Sequence, residues 1–451
     1  MGRDSVPSLV LRLALPAMLA QFVNVLYGIV DRMYIGHIPG DGALALAGVG
    51  VCGPITTLLT SFGTLVGLGG SILMGIRMGE KNYKSARKIL ANSFLLLCVF
   101  SLVLTIAFLI CKDRLLLWFG ASGQTFSYAN TYMTIYTAGT FFALMAVGLN
   151  YFINCQGFPM VGMTTVLISA VLNIILDPVF IFGFHMNVAG AAAATVLSQF
   201  VSCMFAFCFL IGKKIPVKIS FGQYELGIMK RILYLGFSPF LILATDSAIL
   251  IVLNTMLQKY GGASEGDILI TCATIAQSYL SLITSPMLGI SGGTQAILSY
   301  NYGAKLTERV KKAEKYILLL MLSFTTFMFL LSRFVPQYFV RLFTSDAQCM
   351  EISVWAIRTY TLMIIPLSFQ YVFVDGLTAI ERTKTALGLS ALRKGLNVLS
   401  ILVLPGLFSA RAAFYAEPLA DLVGAVVSTT VFLLIINRHL EKRKGELCGE
   451  S

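Results

Sequence analysis

The 451-residue chain is 57% hydrophobic and 12% charged, with a formal net charge of +12. Soluble domains run at about 45–50% apolar and about 25% charged, so the composition excludes a soluble enzyme or binding module and marks an integral membrane protein. The positive charge does not point to nucleic acid, because the basic residues gather in alternate connections between apolar runs.

Apolar runs of about 20 residues or more, enough to cross a hydrocarbon core of about 30 Å, recur from end to end. None alternates as a barrel strand would, so the spans are read as helices. Twelve are expected, near 9–36, 43–77, 86–111, 127–154, 162–183, 189–212, 228–259, 267–300, 311–333, 350–379, 385–407 and 411–436. Several exceed the bilayer's need and should tilt. Basic clusters follow the second span (Arg77, Lys81, Lys84, Arg87, Lys88), the sixth (Lys213, Lys214, Lys218), the eighth (Lys305, Arg309, Lys311, Lys312) and the twelfth (Arg438, Lys442, Arg443, Lys444). The positive-inside rule then puts both termini in the cytoplasm. No cleavage pattern follows Arg12, so no leader is expected. The nine cysteines are scattered and read as small apolar fillers. His37, His185 and His439 have no ligand partner at helical spacing, so no metal centre or cofactor is expected.

The first span reads "QFVNVLYGIVDRMYIG". Gln21, Asn24, Gly28 and Asp31 are spaced three, four and three apart and form one stripe of a helix. Pro16, upstream, can kink that helix. Tyr132 and Tyr136 share a face of the fourth span, suited to core packing or to the wall of a cavity for flat cations. In the fifth span Asn173 and Asp177 are four apart, and Pro178 leaves a carbonyl of the preceding turn without its N–H partner. In the sixth, Thr195 follows "AGAAAA", a run that allows close helix approach. An intramembrane Asp costs about 2.5–3.5 kcal/mol on insertion scales. Asp31, Asn173, Asp177 and Thr195 therefore read as one set able to share protons or hold a hard cation such as Na⁺. Bland readings stand beside this: Asn173 and Thr195 as interhelical hydrogen bonds, Asp31 paired with Arg32, Asp177 as an interfacial cap.

The second half repeats the first. "MGEKNYKSARK" at Met78 answers to "YGAKLTERVKK" at Tyr302, with Gly79, Lys81 and Lys88 each 224 residues before Gly303, Lys305 and Lys312. The same offset carries Asn173 to Asn397. Two six-helix lobes of one orientation follow, related by an axis along the membrane normal: residues 1–212, a cytoplasmic linker 213–227, residues 228–437 and a basic tail 438–451. The eighth span carries Gln277, Ser281, Thr284, Ser291 and Gln295 on one stripe. Asp246, Asp375 and Asp421 lie in the seventh, tenth and twelfth spans. Ion pairing with Arg358 and Arg393 is the favoured reading for Asp375 and Asp421, and Asp246 is open between pairing and transport chemistry.

"LALPAMLAQFVNVLYGIVDRMYIGHIPGDGALALAGVG", "SARKILANS", "NCQGFPMVGMTTVLISAVLNIILDPVFIFGFHMNVAGAAAATVLSQ" and "SYNYGAK" together resemble the multidrug and toxic compound extrusion (MATE) family, in its bacterial and archaeal branch. The resemblance implies a V-shaped pair of six-helix lobes and export driven by H⁺ or Na⁺ entry. It also implies a cation site in the N-terminal lobe at Asp31, Asn173, Asp177 and Thr195, with Pro16 at the bend of the first helix. Arg32 departs from the smaller or uncharged residue usual there. One subfamily places the site on the seventh and tenth spans, where Asp246 fits loosely and Asp375 departs from the expected spacing.

The expectation is a monomeric, multi-pass antiporter of a bacterial or archaeal inner membrane. It exports amphipathic organic cations against H⁺ or Na⁺, has lipids around it and binds no nucleic acid. The alternative from the same superfamily is a flippase for lipid-linked precursors or polysaccharide, whose cavity would be basic.

Overall fold

A bilayer offers no water to backbone N–H and C=O groups, so a spanning chain must bond them within itself, as a helix does. The computed structural model describes residues 4–39, 42–119, 121, 125–212, 215–343 and 347–445. Lys213, Lys214 and the end of the basic tail, 446–451, lie outside them. The helices are α1 (Val6–Gly36), α2 (Gly42–Gly79), α3 (Tyr83–Trp118), α4 (Phe126–Ala138), α5 (Thr140–Cys155), α6 (Pro159–Pro178), α7 (Asn187–Ile211), α8 (Leu226–Gly303), α9 (Thr307–Phe334), α10 (Pro336–Val340), α11 (Ala347–Tyr360), α12 (Ile364–Ala379), α13 (Thr383–Leu407) and α14 (Ala416–Gly445). A π turn, Val179–Gly183, extends α6, and a 3₁₀ turn, Ala410–Tyr415, precedes α14. Helix α8 breaks at Gly262, where φ is 62° and ψ is −161°, into two arms, Leu226–Gly262 and Ile268–Gly303.

Among the described residues, ten helices are long and apolar enough to span alone. Two pairs span when joined: α4 with α5, bent by 56°, and α11 with α12, bent by 45°. The total of twelve matches the twelve apolar runs. The bends fall in the fourth and tenth spans, and the residues that open the second helix of each pair, Gly139 and Met363, are again 224 apart. The backbone repeats too. Lys81 and Lys305 take φ of 60° and 59°, and Gly157 and Glu381 take 91° and 64°, all at the same offset. These are the turns that end the second, fourth, eighth and tenth spans, so the repeat holds at the level of left-handed conformations and not of residue type alone.

The chain divides into two compact units. The N-terminal unit is Leu15–Leu243. The C-terminal unit is Ala244–Ser451 with Met1–Ala14. The linker sequence therefore does not coincide with the unit boundary, which falls inside the first arm of α8. Packing explains this. A side chain at Gly236 on that arm would run into the Leu65 carbonyl of α2, and one at Gly69 into the Ile232 carbonyl, so α2 and the arm touch backbone to backbone. Glu225 adds its N–H to the Asn92 side chain at 2.9 Å and its carboxylate to Lys88 at 2.9 Å. Correspondingly, Leu9, Val10, Leu13 and Ala14 at the start of α1 are buried, and Arg309 donates to the Asp4 carbonyl at 2.7 Å. Outward stripes such as Leu102, Ile106 and Ile110 on α3 are exposed, as lipid-facing residues should be.

The turn at Gly157 supplies a direct check on the repeat. A β-carbon in the left-handed region costs about 1–2 kcal/mol. Gly157→Ala should lower the stability of the detergent-solubilised protein by about that much, read as a fall in the thermal unfolding midpoint. Glu381→Gly, at the matching turn, should not lower it. Equal losses in the two variants would contradict the conformational account.

Candidate cation site in the N-terminal unit

Local sequence builds the site. Pro178 ends α6 with no N–H to give the Ile174 carbonyl, and the next N–H, of Val179, goes to Leu176 instead. The helix relaxes into the π turn, a form often found at functional sites. Helix α7 then lies on that turn: a side chain at Gly190 would meet the Phe180 carbonyl carbon at 2.8 Å and its oxygen at 2.9 Å. This contact brings Thr195 to α6.

The Asn173 amide donates to Asp177 Oδ1 and to Thr195 Oγ1, each at 3.2 Å. The carboxyl groups of Asp31, on α1, and Asp177 lie within hydrogen-bonding reach of each other. All four residues are withdrawn from solvent, with exposures of 0% for Asp177, 1% for Asn173, 7% for Thr195 and 9% for Asp31. Asp31 Oδ1, Asp177 Oδ2 and Asn173 Oδ1 are buried and accept from no described group. Two carboxyl groups so placed repel one another unless a proton or a cation lies between them. Three buried oxygens without described donors, beside a hydroxyl oxygen, are acceptors of the kind that a proton or a hard cation takes. Arg32 is exposed.

Tyrosines wall the site. Tyr132 and Tyr136 stack with ring centroids 6.0 Å apart and an interplanar angle of 11°. They are buried, and Tyr132 lies within electrostatic reach of Asp31. Two residues were missed by the reading of the sequence. Tyr27 stands near both Asp31 and Asp177, and Gln199 stands near Tyr136. Each is four residues from a residue already named, so helical spacing carried the signal. Gln21 is half-buried and Asn24 is exposed, so the polar stripe of α1 becomes buried only toward Asp31.

The C-terminal unit treats its polar residues differently. Asp246 is paired with Lys394. Asp421 is held by Arg393 at 2.5 Å, and Arg393 also reaches Glu417 at 3.5 Å. Asn397, the counterpart of Asn173, donates to Glu417. Ser281 donates within its own helix to the Gln277 carbonyl at 2.9 Å, and both residues are half-buried. The ion pairing expected for Asp375 is not found among the described residues. Arg358 bonds the Arg333 carbonyl at 3.0 Å, whereas Asp375 stands near Ser291 and Gln295, whose Oγ and Nε2 make no hydrogen bond among the described residues. A guanidinium serves Asp421 because α13 and α14 pack together and bring Arg393 to it, whereas no ion pair reaches Asp375 among the described residues.

The family model named MatE matches this chain twice, over residues 16–179 and 241–403, one match in each half of the repeat. The chain is 24% identical over 438 residues to the multidrug export protein MepA of Staphylococcus haemolyticus, covering 96% of this chain and 95% of that protein. It is 22% identical over 427 residues to MepA of Staphylococcus aureus strain MSSA476, covering 94% and 93%. A solved outward-facing conformation of a multidrug resistance MATE family transporter of the MOP superfamily matches the fold with a TM-score of 0.89 at 23% identity, over 98% of both chains. A MOP superfamily transporter from Pyrococcus furiosus, reported to have a binding pocket of reverse polarity, gives 0.89 at 23% identity over 97% of both. Both halves fit one family model and the fold follows its solved structures over nearly the whole length: the chain belongs to the MatE family of multidrug and toxic compound extrusion transporters, and it is a multi-pass membrane protein rather than an enzyme.

Proposed function

We propose that this transporter exports amphipathic organic cations in exchange for H⁺ or Na⁺, and that Asp31, Asn173, Asp177 and Thr195 bind the entering ion. The observation that carries the reading is the buried pair of carboxyl groups with three acceptor oxygens that no described group satisfies. An entering proton or Na⁺ removes one negative charge from the pair and joins α1 to α6 and α7. Its departure leaves negative charge beside Tyr27, Tyr132 and Tyr136, a combination that suits a flat cationic molecule. Coupling then requires that ion and drug bias one conformational equilibrium in opposite directions. The relatives named as multidrug export proteins support the drug-export half of this reading. A flippase is not favoured, because the buried guanidinium of the C-terminal unit, Arg393, is already engaged by Asp421 and Glu417.

The test is efflux of a cationic dye from vesicles under imposed pH or Na⁺ gradients. Asp177→Asn and Asp31→Asn should each lower gradient-dependent efflux by about tenfold or more, within the range of coupling free energies of about 1–3 kcal/mol. Dye binding without a gradient should weaken less than efflux, because one carboxylate of the pair remains. Full gradient-dependent efflux in Asp177→Asn would sink the assignment. Comparing the two gradients identifies the coupling ion.

Gly190→Ala probes the positioning. The added methyl meets the backbone of Phe180, so α7 must shift away from the π turn and Thr195 from Asn173. Half-maximal efflux should then need a steeper ion gradient, while Gly183→Ala, where a β-carbon meets nothing within 4 Å, should behave as the unaltered protein. An unchanged ion dependence in Gly190→Ala would remove Thr195 from the site.

A further inference from the structure

Two cysteines of the C-terminal unit stand side by side. Cys272 lies about one turn into the second arm of α8, and Cys349 lies in the first turn of α11. Their sulfurs are 3.7 Å apart, and the Cys272 thiol also donates to the Cys349 carbonyl at 3.5 Å. Both side chains are buried, with exposures of 0% and 7%. The contact spans 77 residues of chain, so packing between helices brings the thiols together. A disulfide holds its sulfurs at about 2.05 Å, so about 1.7 Å of approach remains, which rotation about the two Cα–Cβ bonds can cover. A metal ion is a poorer occupant, because the described residues contain no group of three metal-ligating side chains.

The N-terminal unit shows that the scaffold does not demand the pair. There Cys52 of α2 donates to the Ala129 carbonyl of α4 at 3.5 Å, again across 77 residues. At the repeat offset of 224 these two positions correspond to Ala276 and Ser353, one turn further along α8 and α11. The same two spans of each half therefore meet through a cysteine thiol, and in the second half there is sulfur on both sides.

Both cysteines sit at the ends of their spans away from the basic connections. The arm of α8 runs from Cys272 toward Lys305, Arg309, Lys311 and Lys312, and the span of α11 and α12 runs from Cys349 toward Arg382 and Lys384. By the positive-inside rule the cysteine end lies outside the cytoplasm, where disulfides form and persist.

We infer that Cys272 and Cys349 are joined by a disulfide in the mature protein, a cross-link between the eighth and tenth spans at their outer ends. The bond forms during assembly, before the two helices close over the thiols, by exchange with a disulfide-bearing oxidant. The Cys349 thiolate attacks one sulfur of the oxidant's disulfide and expels a first thiol. The Cys272 thiolate then attacks Cys349 Sγ and expels the second. Two electrons pass to the oxidant, and the two cysteine protons end on the thiols it releases. The eighth and tenth spans then move as one at this end. The inference draws on the orientation expected from the basic clusters and is independent of the ion-coupled reading.

The experiment is mass spectrometry of the full-length protein, purified without reductant from cells with an oxidising outer compartment. Unfolding in a maleimide should label two fewer of the nine cysteines than the same treatment after reduction. Proteolysis should yield one linked pair of peptides carrying Cys272 and Cys349, which Cys272→Ser abolishes. Reduction should lower the thermal unfolding midpoint of the unaltered protein and leave that of Cys272→Ser unmoved. Labelling of all nine cysteines without reductant would overturn the inference, as would a linked pair that uses another cysteine instead. Linkage that appears only after oxidised glutathione is added to the purified protein would overturn it too, since the thiols would then be close but reduced in the cell. The label count is taken on the unaltered chain, so it decides the matter even if a variant does not fold.

Discussion

A carboxylate within a bilayer costs about 2.5–3.5 kcal/mol even on insertion scales, and the buried acids of this chain are arranged around that cost. The N-terminal unit sets two of them, Asp31 and Asp177, against each other with one amide and one hydroxyl for company. Such a pair cannot be fully ionised without a partner, and on the proposed reading that partner is the entering ion. The C-terminal unit supplies a permanent partner to Asp421 and Glu417 in Arg393. Removing one member of such a buried set typically costs about 3–5 kcal/mol, so that cluster fixes structure, whereas on the proposed reading the counter-charge of the Asp31–Asp177 pair is the exchanged ion.

The repeat shows how the two solutions share a scaffold. The left-handed turns at Lys81 and Lys305 and at Gly157 and Glu381 coincide in offset, as do the breaks in the fourth and tenth spans. Asn173 and Asn397 both donate their amides, one to Thr195 and the other to Glu417. Around this common donor the chemistry diverges: Asp177 corresponds to Ile401 and Thr195 to Leu419. Backbone geometry is what the two halves hold in common, and the ionisable groups were placed in each half separately.

Much of this was legible in the sequence, for physical reasons. Spans announce themselves because a bilayer demands long apolar helices. Asp31, Asn173, Asp177 and Thr195 stood out because polar residues at helical spacing are costly in such helices. The bends were not legible, since "TAGTF" around Gly139 and "TLMIIP" around Met363 are as apolar as an unbroken span. Glu314 of α9, a buried residue, was hidden by its neighbours. In "ERVKKAEKY" it looks like one more solvated charge, and only the stripe through Val310, Ile317 and Met321 reveals that it turns inward. The partner of Asp375 was misjudged because sequence cannot say which helix brings a guanidinium near. Spacing along one helix is readable, whereas pairing between helices depends on packing.

Helix α1 adds a constraint that neither unit supplies alone. Its first residues belong to the C-terminal unit, anchored through Arg309 and the Asp4 carbonyl, and from Leu15 onward it belongs to the N-terminal unit and carries Asp31. Pro16 stands just past that division, inside an unbroken helix, and deprives the Arg12 carbonyl of its usual N–H, so the helix is weakest where it changes allegiance. The first arm of α8 changes allegiance likewise after Leu243, four residues beyond Pro239. Coupling between distant sites needs an element with two arrangements that both sites bias. On the proposed reading, an ion bound at Asp31 acts on a helix whose other end is fixed in the C-terminal unit, so its effect need not cross any packed interface between side chains. On that reading it travels along the covalent chain, through the turn of α1 that Pro16 leaves one hydrogen bond short.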